Sequence, residues 1–202
     1  MPNNRLEKDA AKIAPRPAAA ALRELIMTKA YLVCGSPAAG KTTYAKKLAK
    51  EKQAVFLDID VSTERLVKLA LSLSGQDSED RDSPYFKKHF RDPVYEQLFD
   101  SARDNLPLRS VVIAGPFTKE MRDPEWPKKL SAHLGAPVKI HYVFCPVQVR
   151  KKRMIKRANS RDEAKLRDWE KHLRYYEDEA PPACEHVSID NSANHEIKPS
   201  DP

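Results

Sequence analysis

Gly35-Ser36-Pro37-Ala38-Ala39-Gly40-Lys41-Thr42 fits the pattern G-x-x-x-x-G-K-[ST], and the apolar run Tyr31-Leu32-Val33-Cys34 leads into it. A loop of this kind turns its backbone N–H groups inward around phosphates, and the helix that follows adds its positive N-terminal end. Gly40 permits close backbone approach, the Lys41 ammonium reaches the β- and γ-phosphates, and the Thr42 hydroxyl is a ligand for Mg2+. The stretch Gly35, Ser36, Pro37, Ala38, Ala39, Gly40, Lys41, Thr42 and Thr43 is therefore expected to hold a nucleoside triphosphate, with ATP and Mg2+ as the cofactors.

Outward from this loop, short β-branched runs alternate with longer helical periods. Strands are expected at Tyr31–Cys34, Ala54–Asp58, Ser110–Ala114, Val138–Phe144 and His186–Ile189. Helices are expected from Lys41 to Glu51 and from Val61 to Leu73, the latter with Leu66, Val67, Ala70 and Leu73 on one face. Ser83-Pro84 is a helix start, with Ser as cap and Pro in the first turn; the helical pattern runs to Asn105 with a break at Pro93. Pro146 opens another helix, and Ser160-x-x-Glu163 is a capping box for one more, with Leu166, Trp169, Leu173 and Tyr176 on a shared face. Alternation of this kind gives a mostly parallel sheet covered on both sides. The fold class is α/β in three layers. One folded unit is expected over residues 29–190, after a leader at 1–28 and before a flexible tail at 191–202.

Composition narrows the function. The net charge is +7, yet the charge is unevenly spread. Between Arg150 and Arg174 eleven Lys or Arg face four Asp or Glu, whereas Tyr175 to Pro202 carries seven acids and one base. A basic segment attracts phosphate, on a nucleotide or on nucleic acid. No run approaches the roughly 18 apolar residues of a membrane helix, and no signal peptide is recognisable, so a cytoplasmic chain without a membrane partner is expected. Three separated cysteines, Cys34, Cys145 and Cys184, suit a reducing compartment. The histidines show no zinc-ligand spacing.

Motor and signalling NTPases usually place an acid at the end of an apolar strand, but Val111-Val112-Ile113-Ala114 ends in Gly115-Pro116. The acids follow the second strand instead, as Asp58-Ile59-Asp60. Were the strand to continue that far, both carboxylates would face one side at its C-terminal end, where open α/β sheets bind ligands. One acid there can support Mg2+, and the other can bind a hydroxyl and take its proton. Asp60 can equally be the cap of a helix beginning at Val61, and a cap does not exclude a second role.

A P-loop, then Asp-x-Asp after the second strand, then an arginine-rich helix after the fourth resembles the P-loop small-molecule kinases of the shikimate and gluconate kinase type, with zeta-toxin-like and polynucleotide kinases as relatives. The resemblance covers about residues 30–190. It implies a five-stranded parallel sheet in the order 2-3-1-4-5 with helices on both faces and an arginine-rich lid. It further implies Asp58 with Thr42 at Mg2+, Asp60 as base and substrate anchor, Arg91 of Phe90-Arg91 on an anionic substrate, and Gly115 at the acceptor. Arg153 and Arg157, with Arg150 and Arg161 nearby, correspond to lid arginines; Lys41, Asp60, Arg153 and Arg157 would be the catalytic set. Tyr176-Glu177-Asp178-Glu179-Ala180 is similar to the closing helix of shikimate kinases. Two departures speak against shikimate itself: Gly115-Pro116-Phe117-Thr118 stands where those enzymes carry three glycines, and Leu173 stands where they carry a substrate arginine, with Arg174 one step off.

The implied activity is transfer of the γ-phosphoryl group of Mg·ATP to a hydroxyl of a small molecule. Nucleic acid stays open as an acceptor, as do a toxin-type kinase acting on a nucleotide sugar and a nucleotide-dependent regulator with no acceptor. Lys87, Lys88, Lys119, Arg122 and Trp126 are further residues that could border the acceptor.

Overall fold

The computed structural model describes residues 27–170, 173 and 180–193, without the side chains of 160, 161 and 164. Most of the leader, the tail from 194, Arg174, Tyr176 and the side chain of Arg161 lie outside the described residues.

Five strands, β1 (Ala30–Cys34), β2 (Val55–Asp58), β3 (Val111–Ala114), β4 (Val138–Phe144) and β5 (Val187–Asp190), form one sheet in the order β2-β3-β1-β4-β5. Every pairing is parallel, with Leu32 level with both Ile113 and Ile140. A parallel sheet needs cover on both faces. The strand period of two supplies it: Leu32, Ile113 and Ile140 point to one core, Val33, Val112 and Val143 to the other.

The helices are α1 (Lys41–Lys52), α2 (Ile59–Leu73), α3 (Pro84–His89), α4 (Arg91–Asn105), α5 (Trp126–Leu134), α6 (Val147–Arg157) and α7 (Ser160–Arg167). α4 and α5 cover the first core with Tyr95, Leu98, Ala102, Trp126 and Leu130. α1 covers the second with Ala45, Leu48 and Ala49. Ser83 caps α3, its hydroxyl accepting from the Phe86 N–H at 3.0 Å. The break expected at Pro93 falls three residues earlier, at Phe90. Pro93 lies in the first turn of α4, where a missing N–H leaves no intrahelical bond unmade.

α2 departs from expectation twice. It starts at Ile59, two residues before Val61, because Asp58 ends the strand and caps the helix itself, accepting from the N–H of Asp60 at 3.0 Å and of Val61 at 3.2 Å. Its buried line runs through Val67 and Leu71, while Leu66 and Leu73 are 73% and 81% exposed. α2 packs on edge strand β2 and on α4, so only a narrow stripe of it is covered.

Among the described residues no helix is long and apolar enough to cross a membrane.

Candidate active site

All five strands deliver their carboxyl ends to one cleft of about 950 Å3, close to the upper end for small-molecule sites and roomy enough for a donor beside an acceptor. The loop after β1 forms its base. Gly35 has φ +133°, and a Cβ there would stand 2.1 Å from the Val143 carbonyl oxygen, so only glycine lets the loop leave β1 this close to β4. Gly40 has φ +97°, and a Cβ on it would stand 2.1 Å from Asn191 Nδ2. Pro37, Ala38, Gly40, Lys41, Thr42 and Thr43 line the cleft, whereas Ser36 and Ala39 are buried beneath it.

Lys41 Nζ donates to the Ser36 carbonyl at 2.8 Å, folded back over its own loop. Burial pushes its ammonium down to about 8 against the pull of the Asp60 carboxylate, and Arg157 lowers it further. Phosphates bound in the loop restore the charged form, so binding takes up a proton once free Lys41 has lost its own. Affinity for a Mg-bound nucleoside triphosphate is therefore expected to be level below about pH 7.5 and to fall above it, by roughly fivefold from pH 8 to pH 9. Titration calorimetry across that range measures the effect, and Lys41→Arg, which stays charged, gives a flat profile.

The acids after β2 divide their work. The buried Asp58 accepts from the Thr42 hydroxyl at 3.0 Å through Oδ2 and caps α2 through Oδ1. The hydroxyl and carboxylate form a pair of hard oxygen donors beside the phosphate loop, a set that suits Mg2+ retaining most of its waters. Asp60, in the first turn of α2, lines the cleft and lies near Lys41. Since Asp58 does the capping, the cap reading for Asp60 is corrected.

Arg91, at the start of α4, lines the opposite part of the cleft with Val94 and Tyr95. Its guanidinium lies 4.7 Å from the Tyr95 ring centroid and donates through Nη2 to both carboxylate oxygens of Glu120 at 2.8 Å. Gly115 and Thr118 border the cleft after β3. The ring of Phe117 fills the space beneath Gly115, where a Cβ would meet it at 3.0 Å.

Arg150, Arg153 and Arg157 all lie on α6 but take different places. Arg150 is buried, 1% exposed, and does not line the cleft. Arg153 lines the cleft but fastens its edges together: Nη2 donates to the Asn191 carbonyl at 2.8 Å, and Nη1 to the Ala39 carbonyl at 3.3 Å and Cys145 Sγ at 3.4 Å. Arg157 lines the cleft, its Nε and Nη2 both donating to buried Asp162 of α7. Lys87 lines the cleft; Lys88, Lys119, Arg122 and Trp126 do not.

Three contributors lie outside the sequence reading. Asn191 Nδ2 donates to the Ala39 carbonyl at 2.7 Å, which extends the donor site past β5. Asp162 holds Arg157, and Glu120 holds Arg91. None sits in a motif; for Asp162 a signal existed, an acid five residues after a lid arginine in the next helical turn.

The model of the AAA domain family matches residues 31–178. Among solved structures, a candidate kinase from Chloroflexus aurantiacus superposes with a TM-score of 0.56 at 17% identity, over 85% of this chain and 92% of that one. An unliganded sugar kinase from Janibacter sp. HTCC2649 gives 0.51 at 21% identity, over 81% and 85%. At these identities the likeness is one of fold. No curated protein matches the chain by sequence.

Proposed function

The chain belongs to the AAA domain family through residues 31–178, and from that membership and the form of the cleft we propose that it is an ATP-dependent kinase phosphorylating a hydroxyl of a small molecule. One observation carries this reading: Asp60, relieved of capping by Asp58, stands in the cleft that holds Lys41, while β3 ends in Ala114-Gly115-Pro116 with no acid. An NTPase without an acceptor has little use for a second carboxylate there; a kinase needs one to orient the attacking hydroxyl and take its proton.

In this reading the Gly35–Thr43 loop holds the triphosphate, and Lys41 leaves the Ser36 carbonyl to meet the β- and γ-phosphate oxygens. Thr42 and Asp58 would hold Mg2+, which when bound offsets charge on the phosphates. Asp60 accepts a hydrogen bond from the acceptor hydroxyl and then its proton as the new P–O bond forms and the bond from the γ-phosphorus to the β,γ-bridging oxygen breaks, releasing ADP. Arg157 supplies cationic charge to the migrating group, and Arg153 keeps the phosphate loop against the segment after β5. Phosphoryl transfer asks mainly for such positioning and charge stabilisation. Lys152, Lys156, Arg157 and Lys165 all line the nucleotide side of the cleft, which accounts for the basic segment without a nucleic-acid partner.

The test is ADP release from Mg·ATP with pooled polyols, sugar acids and nucleosides, and separately with 5′-hydroxyl oligonucleotides. A small-molecule pool is expected to stimulate release, and oligonucleotides are not. Stimulation by oligonucleotides alone, falling steeply with salt, would move the acceptor to nucleic acid. Failure to bind any nucleotide would remove the kinase reading altogether.

A further inference from the structure

Arg91 is the residue that the kinase resemblance assigns to an anionic substrate, yet its anion is already in place. Glu120, in the turn of 3-10 helix at Glu120–Arg122, offers both carboxylate oxygens to Arg91 Nη2 at 2.8 Å. The two side chains are 19% and 20% exposed, so the pair is largely shielded from water. It is also held from below: Arg91 stacks on the Tyr95 ring, and the Tyr95 hydroxyl accepts the Phe117 N–H at 3.3 Å. With Nη2 taken by Glu120 and Nη1 3.4 Å from Asp92 Oδ1, an incoming carboxylate or phosphate would meet a guanidinium whose charge is already offset, and taking Nη2 would leave a shielded acid without its partner, which is costly.

The charges around the pair agree. Of the residues lining this part of the cleft, Arg81, Lys87 and Arg91 stand with Asp60 and Asp82, and the charge of Arg91 is offset by Glu120, which does not itself line the cleft. The surplus of positive charge sits on the other side, in the lid beside the phosphate loop. Val67, Phe86, Val94 and Tyr95 add apolar surface to the acceptor part. A site with no net charge and an apolar wall favours an uncharged ligand over an anion of the same size.

We infer that Glu120 is a specificity-determining residue that neutralises Arg91 and so restricts the acceptor to uncharged hydroxyl compounds. The inference rests on the kinase reading above. Glu120 acts through Arg91 and does not touch the reacting atoms.

Two measurements on wild type and Glu120→Gln test it. In the first, ADP release from Mg·ATP is followed with matched neutral and anionic acceptors, sugar alcohols against the corresponding sugar acids and sugar phosphates. Wild type is expected to use neutral members, and Glu120→Gln to shift the anionic-to-neutral ratio of kcat/KM by about tenfold or more, mainly through KM for the anion. In the second, the phosphate loop is filled with Mg·ADP and inorganic sulfate is added during thermal unfolding. Sulfate stabilises folded proteins generally, so the reading is the difference: it is expected to raise the Tm of Glu120→Gln further than that of wild type at the same concentration, whichever acceptor is the natural one. Wild type that prefers anionic acceptors, with Glu120→Gln losing them, would overturn the inference and leave the kinase standing. Equal sulfate shifts in both proteins would overturn it as well. Absence of Mg·ATP binding in wild type would instead bring down the kinase reading beneath it.

Discussion

Lys41→Ala is expected to lower acceptor-dependent ADP release by about 10²–10³-fold, the loss seen when one preorganised donor to transition-state charge is removed. The geometry says why the loss should appear in kcat as well as in binding. Without nucleotide, Lys41 Nζ is spent on the Ser36 carbonyl, and burial holds its pKa at about 8. The ammonium gains most when charge accumulates on the phosphoryl oxygens, so its contribution grows toward the transition state. The same facts separate lost function from lost fold. A lysine whose folded-state pKa lies below its unfolded value carries a cost at neutral pH, which is relieved as pH rises through the window from about 8 to the ordinary lysine value. Lys41→Ala should thus unfold no lower than wild type at pH 7, and it should lose the gain in stability that wild type shows across that window. Thermal melts at pH 7 and pH 9 check both. A variant that melts early would mean Lys41 is structural, and one that still turns over would remove it from the catalytic set.

The phosphate loop was legible because everything it needs is local: eight consecutive residues, an apolar strand before and a helix after. Strand positions were legible from β-branched runs, whereas the sheet order came from the family likeness, since no residue pattern states which strand lies beside which. The strand end at Asp58 is legible, but the helix after it begins two residues earlier than Val61 for a physical reason. The alternation Phe56, Asp58, Asp60 continues the strand period, and nothing local reveals that Asp58 has turned its carboxylate onto the next two amides. The apolar face of α2 misled in another way. A helical period shows that a stripe exists, but which side is covered depends on neighbours, and at the sheet edge the neighbours reach Val67 and Leu71 but leave Leu66 and Leu73 in solvent. The pairing partners were out of reach altogether. Glu120 lies 29 residues from Arg91, and Asn191 lies 152 residues from Ala39, so only the fold brings them together. The family likeness singles out Arg153 and Arg157 with Arg150 nearby; packing buries Arg150, ties Arg153 to the Asn191 and Ala39 carbonyls and ties Arg157 to Asp162.

Asp60→Asn is expected to lower kcat by about 10²–10⁴-fold, the usual contribution of a positioned general base, with affinity for Mg·ATP nearly unchanged. The amide preserves shape and can still accept a hydrogen bond, yet it cannot take the proton that the acceptor hydroxyl must lose. Asp58→Asn is the informative comparison, because the two acids are separated by one residue and differ in every contact. Asp58 is buried, receives the Thr42 hydroxyl and caps α2 through one oxygen that an amide also supplies, so Asp58→Asn should raise the Mg2+ requirement while keeping the cap, and Asp58→Ala should in addition reduce stability by about 1 kcal/mol, the usual worth of a cap. Asp60 is exposed to the cleft, so its substitution should leave the melt within about 1 kcal/mol of wild type, the most that an acid in a first helical turn contributes through the helix dipole. Single-turnover kinetics with saturating Mg·ATP isolates the chemical step. Rates within a few-fold of wild type in Asp60→Asn would dismiss it as base, and the hydroxyl proton would then leave by way of the phosphate itself. A slow step recovered at high pH, where the acceptor hydroxyl ionises more readily without help, would instead tie the loss to proton removal and place Asp60 at the reacting oxygen.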